Sequence, residues 1–181
     1  MIRGPEEVIR FWFEEIPPRR WWAREAAFDK ELAVRFGATL AAATRCELYL
    51  WREQPAGRLA EVVVLDQFSR NIYRDDPRSF ASDPLALCLA QEAVRVGADR
   101  AVPEKQRAFL YMPFMHSESA EIHEWALKLF GALGNESNLD SERRHKEIID
   151  RFGRYPHRNR ILGRPSTPEE IDFLAREVPP F

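Results

Sequence analysis

Residues 56–72 read AGRLAEVVVLDQFSRNI, and this stretch predicts a helix at the core of the protein. Its apolar residues recur three and four positions apart, and in the first half they cover nearly the whole circumference of a helix. A helix that is apolar all round is buried among other elements. The segment therefore predicts a buried helix from about Ala56 to Ile72.

The rest of the chain also has helical spacing, and helix caps rather than hairpin turns separate its apolar segments. We expect helices from Pro5 to before Pro17, from Phe28 to about Thr44, from the cap Ser82 to Gly97, from Pro103 to Pro113, from the cap Ser117 to Gly134, from Asp140 or Ser141 to Gly153, in one or two turns over 156–162, and from the capping box at Thr167 onward. No segment predicts a strand. The predicted fold class is therefore all-α: antiparallel helical hairpins in a right-handed stack or an irregular bundle of about seven to nine helices.

Length and composition predict one helical domain over 1–181. A chain of 181 residues with 45% hydrophobic and 31% charged residues has enough apolar material for a core and enough charge for a solvated surface. The formal net charge of -2 leaves no basic excess to hold a polyanion, so nucleic acid is not expected as a partner.

The sequence also predicts a cytoplasmic protein without membrane contact. No apolar run is long enough to span a bilayer, and the start of the chain lacks the apolar stretch of a signal peptide. Cys46 and Cys88 are far apart in sequence, which fits two reduced core thiols better than a disulfide framework or a zinc site.

The first of three polar clusters lies at the end of the buried helix. Asp66, Arg70 and Arg74 share one helix face at i, i+4 spacing, and Gln67 and Asn71 lie beside it. One interpretation is an internal ion pair that fixes how this helix meets its neighbours. The other is that two guanidinium groups project into a cavity and bind a carboxylate or phosphate at two points.

The second cluster is centred on His116 and Glu118, which flank the expected cap Ser117. One interpretation is a simple helix start, which accounts for Ser117 as the cap and for Glu118, because an acidic side chain is favourable there. This account leaves His116 unexplained. An imidazole near a helix N-terminus is a candidate neutral acid-base group or anion donor.

The third cluster is residues 152–159, FGRYPHRN, around the start of a new helical turn. Such a turn needs a glycine and a proline but no concentration of positive charge. A helix start with nearby arginines is suited to anion binding, so Arg154, His157, Arg158 and Asn159 are candidate ligand-binding residues. The alternative is that Arg154 and Arg158 pair with acids such as Asp150 on the surface.

These clusters carry a resemblance to a known bacterial family. The matching segments are LDQFxRNIYR at 65–74, FLYMPxxHSE at 109–118, FGRxPHRNxxLGRxST at 152–167 and TPEE at 167–170, with FWF at 11–13 and RWW at 20–22. They resemble the family labelled domain of unknown function 924, and the likeness runs from about Val8 to Leu174. The resemblance implies an all-α fold similar to tetratricopeptide-repeat hairpins, without an assigned activity.

Two hypotheses of function follow. In the first, the chain is a helical binding module that captures a small anion or a peptide carboxylate. Its candidate ligand-binding residues are Arg70, Asn71, Arg74, Arg154, His157, Arg158 and Asn159, and Trp12, Trp21, Trp22 and Tyr155 supply apolar walls. In the second, the pocket belongs to an enzyme, possibly a hydrolase. His116 or His157 is then the general base, and Asp66 or Glu118 orients it.

The two hypotheses differ in the geometry that they require. An enzyme needs its imidazole within hydrogen-bond reach of a carboxylate at the floor of a closed pocket, whereas a binding module can leave its arginines on an open groove. No cofactor is predicted. No metal site is predicted either, because His116, His123, His145 and His157 lack close helical ligand spacing. His123 is predicted to be a solvated helix residue, and Trp125 to belong to the core.

Overall fold

Helices make up the regular structure in the computed structural model, which describes residues 1–176 and contains no strand in that range. The α-helices are α1 (Pro5–Arg10), α2 (Ala26–Thr44), α3 (Pro55–Val63), α4 (Ser69–Ile72), α5 (Asp83–Arg95), α6 (Glu104–Met115), α7 (Ala120–Leu133), α8 (Glu136–Phe152), α9 (Asn159–Leu162) and α10 (Pro168–Arg176). Shorter 3₁₀ turns occur at Pro18–Trp22, Tyr49–Glu53, Pro77–Ser79, Ala98–Ala101 and Pro156–Arg158. The predicted all-α fold class is confirmed.

The predicted buried helix is confirmed and contains an irregular turn. The segment α3 continues through a π-helical turn at Val64–Phe68 into α4. Every residue over 59–69 is buried, which includes Asp66 and Gln67 in the π-helical turn. Single π-turns inside α-helices occur often at functional sites. The irregular turn therefore directs attention to the polar side chains that it carries.

An aromatic cluster joins the first two helices to this buried segment. The ring of Phe36 in α2 lies 4.9 Å from those of Phe11 and Phe68, and the Trp12 ring lies 5.4 Å from that of Phe68. All four side chains are at most 1% exposed. A smaller hydrophobic cluster of Ile148, Ile149, Tyr155 and Phe173 lies in the C-terminal part of the chain.

Several predicted helix ends are confirmed. Gly97 and Gly153 follow α5 and α8 with φ of 72° and 67°, the left-handed conformation that glycine adopts without steric cost. The Thr167 N–H donates to Glu170 Oε2 at 2.7 Å, and the Glu170 N–H donates to Thr167 Oγ1 at 3.2 Å. These two bonds form the capping box that starts α10.

Three predicted helix boundaries are wrong. Pro113 lies inside α6, because residues 108–115 are all buried and their packing offsets the missing hydrogen bond. The N-cap of α7 is Ser119, so Ser117 belongs to the preceding loop. Helix α8 starts at Glu136, because the Asn135 side chain accepts the Asn138 N–H at 3.1 Å and caps the helix directly after Gly134.

Three predictions of burial are also wrong. Cys46 and Cys88 are free but exposed, and Cys46 lies in the turn after α2 with a φ of 58°. His123 is fully buried because it faces the carboxylate of Glu142 on the neighbouring α8. Trp125 is 55% exposed, since it lies on a different face of α7 from the buried Phe130. Among residues 1–176, no helix has the length and apolar character needed to cross a membrane.

Candidate functional site

The three polar clusters contribute to the wall of one cavity, which has a volume of about 330 Å³. Its lining residues come from the loop after α1, the end of the buried helix, the loop before α5, the end of α6, the middle of α8 and the turn before α9. They are Trp21, Trp22, Ala23, Arg24, Gln67, Arg70, Asn71, Arg74, Asp75, Ser79, Phe80, His116, His145, Tyr155, His157, Arg158 and Ile161.

Five residues in and behind the wall of this cavity form a closed ring of polar contacts. His116 Nδ1 lies 2.7 Å from Asp66 Oδ1, and Arg70 Nη1 lies 3.1 Å from the same oxygen. Arg70 also donates to both carboxylate oxygens of Asp83 at 2.9 Å. Arg158 closes the ring, because its Nη1 donates to Asp83 Oδ2 at 3.2 Å and its Nη2 donates to the main-chain oxygen of His116 at 2.9 Å. The internal ion pair that was one interpretation of the first cluster is present between Asp66 and Arg70.

The His116 and Asp66 side chains have the geometry of a base and the group that orients it. Asp66 is fully buried, and the His116 side chain is 17% exposed towards the cavity. A carboxylate only accepts hydrogen bonds, so His116 Nδ1 carries the proton and Nε2 carries a lone pair. Among the described residues, none forms a hydrogen bond with His116 Nε2. That atom is therefore available to a ligand.

Electrostatics keep His116 neutral and Asp66 ionised. Burial and the charge of Arg70 lower the pKa of His116 below its usual value, so the imidazole is neutral near pH 7. Burial alone would raise the pKa of Asp66, but the charge of Arg70 and the hydrogen bonds from His116 and Gln67 outweigh it and hold that pKa well below the usual range. Asp66 therefore stays ionised and keeps accepting the His116 proton.

Cations predominate in the wall of the cavity, and most of their carboxylate partners lie in a second layer. Arg24, Arg70, Arg74 and Arg158 line the cavity together with the carboxylate of Asp75, whereas Asp83 and Asp29 are not lining residues in the described part of the chain. Arg74 donates to the two oxygens of Asp29 at 2.6 and 2.8 Å. Because the positive groups face inward, the cavity favours negative charge although each arginine is already paired.

Arg158 is the most buried of these cations. The residue is 6% exposed, and its guanidinium carbon lies 4.6 Å from the ring centres of Phe80 and Tyr155. Its Nε atom is buried and has no hydrogen-bond partner among the described residues. Burial and the charge of Arg70 lower the pKa of this guanidinium. Two aromatic faces and two acceptors thus hold a cation that is only partly neutralised.

Two further histidines border the cavity beside Tyr155. The ring centres of His145 and His157 lie 5.8 and 5.6 Å from that of Tyr155. His145 Nδ1 donates to the main-chain oxygen of Ser141 at 2.7 Å. Burial lowers the pKa of His145 to about 3 and that of His157 to about 2, so both imidazoles are neutral at pH 7. Sequence reasoning did not select His145 as a site residue, because one histidine inside a helix carries no local signal.

Four of the predicted site residues lie outside the cavity lining: Asp66, which is fully buried behind His116, and Glu118, Arg154 and Asn159. Glu118 binds the Arg164 guanidinium at 2.6 and 2.9 Å, and does not orient a histidine. Arg154 donates to both oxygens of Glu170 at 2.6 and 2.9 Å, and Asn159 donates to Glu170 Oε2 at 3.3 Å. These contacts hold the segment around α9 against α10. Burial would raise the pKa of Glu118, but its bond to Arg164 holds it below the usual value.

The other predicted site residues are at the cavity. Asn71 lines it and links two parts of its wall, because its side chain donates to Gln67 O and accepts from Arg74, at 2.9 and 2.8 Å. Of the four predicted aromatic walls, Trp21, Trp22 and Tyr155 line the cavity. Trp12 does not, because it is fully buried in the aromatic core.

A second buried histidine and carboxylate pair lies beneath Tyr155. His123 Nδ1 lies 2.7 Å from Glu142 Oε1, and both side chains are fully buried. His123 Nε2 lies 2.9 Å from the main-chain oxygen of Ser117 and 3.2 Å from the Tyr155 hydroxyl. Burial raises the pKa of Glu142. Within the described residues, no group of three or more His, Cys, Asp or Glu side chains is arranged to hold a metal ion.

Comparisons with known proteins agree with this architecture. The chain is 40% identical to a protein of unknown function from Agrobacterium tumefaciens whose structure is solved. The match covers 96% of this chain and 97% of that one, with a TM-score of 0.91. No curated protein matches the chain. The family model described as bacterial protein of unknown function DUF924 matches residues 8–177. The chain therefore belongs to the bacterial family DUF924.

Proposed function

We propose that the chain is an enzyme in which His116 is the general base and Asp66 orients its imidazole. The substrate is a small anionic molecule held against Arg70, Arg74 and Arg158. The reaction class is removal of a proton from the substrate or from an attacking water, as in a hydrolase.

One observation carries this proposal. His116 Nδ1 lies 2.7 Å from a fully buried carboxylate, while the other nitrogen of the same ring, in a residue that lines the cavity, forms no hydrogen bond with the described residues. This geometry supports the enzyme rather than an open binding groove, because a ligand-binding surface needs no buried carboxylate behind a neutral imidazole. The cation-lined wall supports an anionic substrate, or negative charge that develops during the reaction.

The experiment is a turnover screen with matched variants. The wild type is assayed against small carboxylate esters, amides and phosphate esters, together with His116→Ala, Asp66→Asn and the surface control Arg95→Ala. Loss of a general base costs about 10²- to 10⁴-fold in rate, so His116→Ala and Asp66→Asn should lose activity while Arg95→Ala keeps it. The rate should rise with pH and should already reach its plateau at a pH below 6.5, because His116 must be deprotonated and its pKa is lowered. A His116→Ala variant as active as wild type would contradict the proposal.

A binding module is the second candidate, and the cation-lined wall supports it independently of the histidine. Arg74 lines the cavity, and none of the bonds described for it uses its Nη1 atom. In this case ligands stabilise the fold in a saturable way, and no substrate in the screen is turned over. We also propose a cytoplasmic location, which the two free cysteines support because such thiols persist in a reducing compartment.

A further inference from the structure

We infer that the cavity takes a planar aromatic carboxylate, whose ring stacks on Trp22 and whose carboxylate binds Arg74. This inference rests on the proposal that the cavity is a substrate site and adds the class of substrate. It depends on two residues at the opening of the cavity, Trp22 and Arg74, that are not part of the ring around His116.

Trp22 is the first of these features. It lines the cavity, yet its side chain is 63% exposed. One edge of the indole meets Trp21, with ring centres 6.4 Å apart and planes at 87°, and the indole is nearly parallel to Phe109 at 6.1 Å. Neighbouring rings thus hold the indole in place and leave much of it uncovered. A flat ligand ring gains stacking contacts on such a surface.

Arg74 is the second feature. Its Nε and Nη2 atoms bind Asp29, and Nη2 also binds Asn71, so the guanidinium is fixed in position. Its Nη1 carries two N–H donors that none of these bonds uses, and the side chain is 25% exposed. A fixed guanidinium with spare donors binds a carboxylate by charge-assisted hydrogen bonds and loses little further side-chain entropy.

An ion pair brings these two features to the same rim. Arg24, two residues after Trp22, lies 3.4 Å from Asp75, the residue after Arg74. Trp22 and Arg74 therefore border one opening, and His116 lines the same cavity. A volume of about 330 Å³ is at the small end of ligand sites and fits one or two fused rings with a carboxylate.

Binding of four small probes tests the inference. Benzoate and 1-naphthoate are planar anions, cyclohexanecarboxylate has the charge without the flat ring, and benzamide has the ring without the charge. Saturable shifts in melting temperature at constant ionic strength, confirmed by calorimetric titration, give each Kd. We expect benzoate to bind about 2- to 10-fold more tightly than cyclohexanecarboxylate and about 10- to 100-fold more tightly than benzamide.

Variants at the rim assign the two preferences. Trp22→Ala should remove the preference for the flat ring, and Trp125→Ala, which removes a 55% exposed indole from α7, should keep it. Arg74→Gln should remove the preference for charge. Its control is Arg35→Gln, which breaks equally exposed ion pairs with Glu7 and Glu15 at a site that does not line the cavity.

The outcomes separate this inference from the proposed function. Equal affinity for benzoate and cyclohexanecarboxylate, no binding of any probe, or a Trp22→Ala variant that behaves like Trp125→Ala would overturn the aromatic inference. Activity on an aliphatic anion that depends on His116 would then leave the enzyme proposal standing. A preference for aromatic carboxylates that Trp22→Ala abolishes would support the inference. If turnover in the same protein did not depend on His116, the enzyme proposal would be refuted while the inference stood.

Discussion

Replacing Asp66 by alanine tests the ring around His116 as a structural element. The Asp66 carboxylate accepts hydrogen bonds from His116 Nδ1 at 2.7 Å and Gln67 Nε2 at 2.5 Å, and forms an ion pair with Arg70 Nη1 at 3.1 Å. Removing one partner of a buried ion pair costs about 3–5 kcal/mol, because the other charge stays buried. Two circumstances reduce this cost in Asp66→Ala. Arg70 keeps both of its bonds to Asp83 at 2.9 Å, and the desolvation cost of Asp66 itself disappears.

We therefore expect Asp66→Ala to lower the free energy of unfolding by about 3 kcal/mol. For a chain of this size that loss corresponds to a fall in melting temperature of roughly 6–12 °C. Urea unfolding followed by circular dichroism measures it, and an unchanged m-value shows that the unfolded state is the same. The contribution of Asp66 requires the carboxylate. Since the pKa of Asp66 is lowered by folding, the contribution is present above its unfolded pKa of about 3.9 and is lost as pH falls below that value.

The matched control is Glu47→Ala. Glu47 binds Arg45 through two contacts of 2.7 Å, but both side chains are about half exposed, so solvent screens the pair and the loss of stability should be much smaller than in Asp66→Ala. A second readout is the His116 pKa from NMR titration. Asp66 raises that pKa, so it should fall further in the variant. An Asp66→Ala protein as stable as Glu47→Ala, with an unchanged His116 pKa, would refute the ring as described.

Three further predictions concern pH, anions and packing. Folding lowers the pKa of His145 to about 3 and of His157 to about 2, so stability should be full above about pH 6.5 and should fall by about 1.4 kcal/mol per pH unit for each histidine below that pH. The urea midpoint of His145→Gln should therefore depend less on pH than that of the wild type. An equal pH dependence of the two proteins would contradict this prediction. Phosphate should raise the melting temperature of the wild type more than sodium chloride of the same ionic strength does. Arg154→Ala should keep this gain, because Arg154 binds Glu170 outside the cavity lining, whereas Arg74→Gln should lose it. Loss of the gain in Arg154→Ala would show that the anion binds elsewhere. Gly57→Ala should destabilise the fold by about 2 kcal/mol or more, because the new Cβ would lie 2.0 Å from the Trp51 carbonyl oxygen. Gly131→Ala places its Cβ in open space and should stabilise α7 by about 0.5–1 kcal/mol. Equal melting temperatures of the two variants would argue against this packing around Gly57.

Much of the fold could be predicted because its signals are local. The apolar circumference of residues 59–68 requires burial, and the capping box at Thr167 requires a helix start. Pro113 was misplaced because the cost of an internal proline depends on the packing around it, which no short window contains. The right-handed, tetratricopeptide-like stack stays a prediction.

The candidate site was predictable as a set of clusters but not as a ring. Asp83 was missed because Ser82-Asp83-Pro84 has the typical composition of a helix start. The helix start explains Asp83 fully, so the sequence does not indicate that Asp83 also accepts hydrogen bonds from Arg70 and Arg158. Within the third cluster, neighbouring side chains on a tight turn point in different directions. Arg158 therefore enters the cavity wall while Arg154 reaches α10.

Stability alone does not account for a ring of five polar residues at this position. Desolvating two arginines and two aspartates is costly, and an apolar set of similar volume often stabilises a fold as well or better. What the ring provides and an apolar core does not is a fixed tautomer and orientation of His116, with Nδ1 bound to Asp66 and the main-chain oxygen bound to Arg158. Arg158 contacts the histidine directly through that oxygen, and it also reaches it through Asp83, Arg70 and Asp66. A histidine fixed at its ring and at its main chain, whose Nε2 forms no hydrogen bond with the described residues and which lines a cavity with several arginines, supports the proposal of chemistry on a ligand.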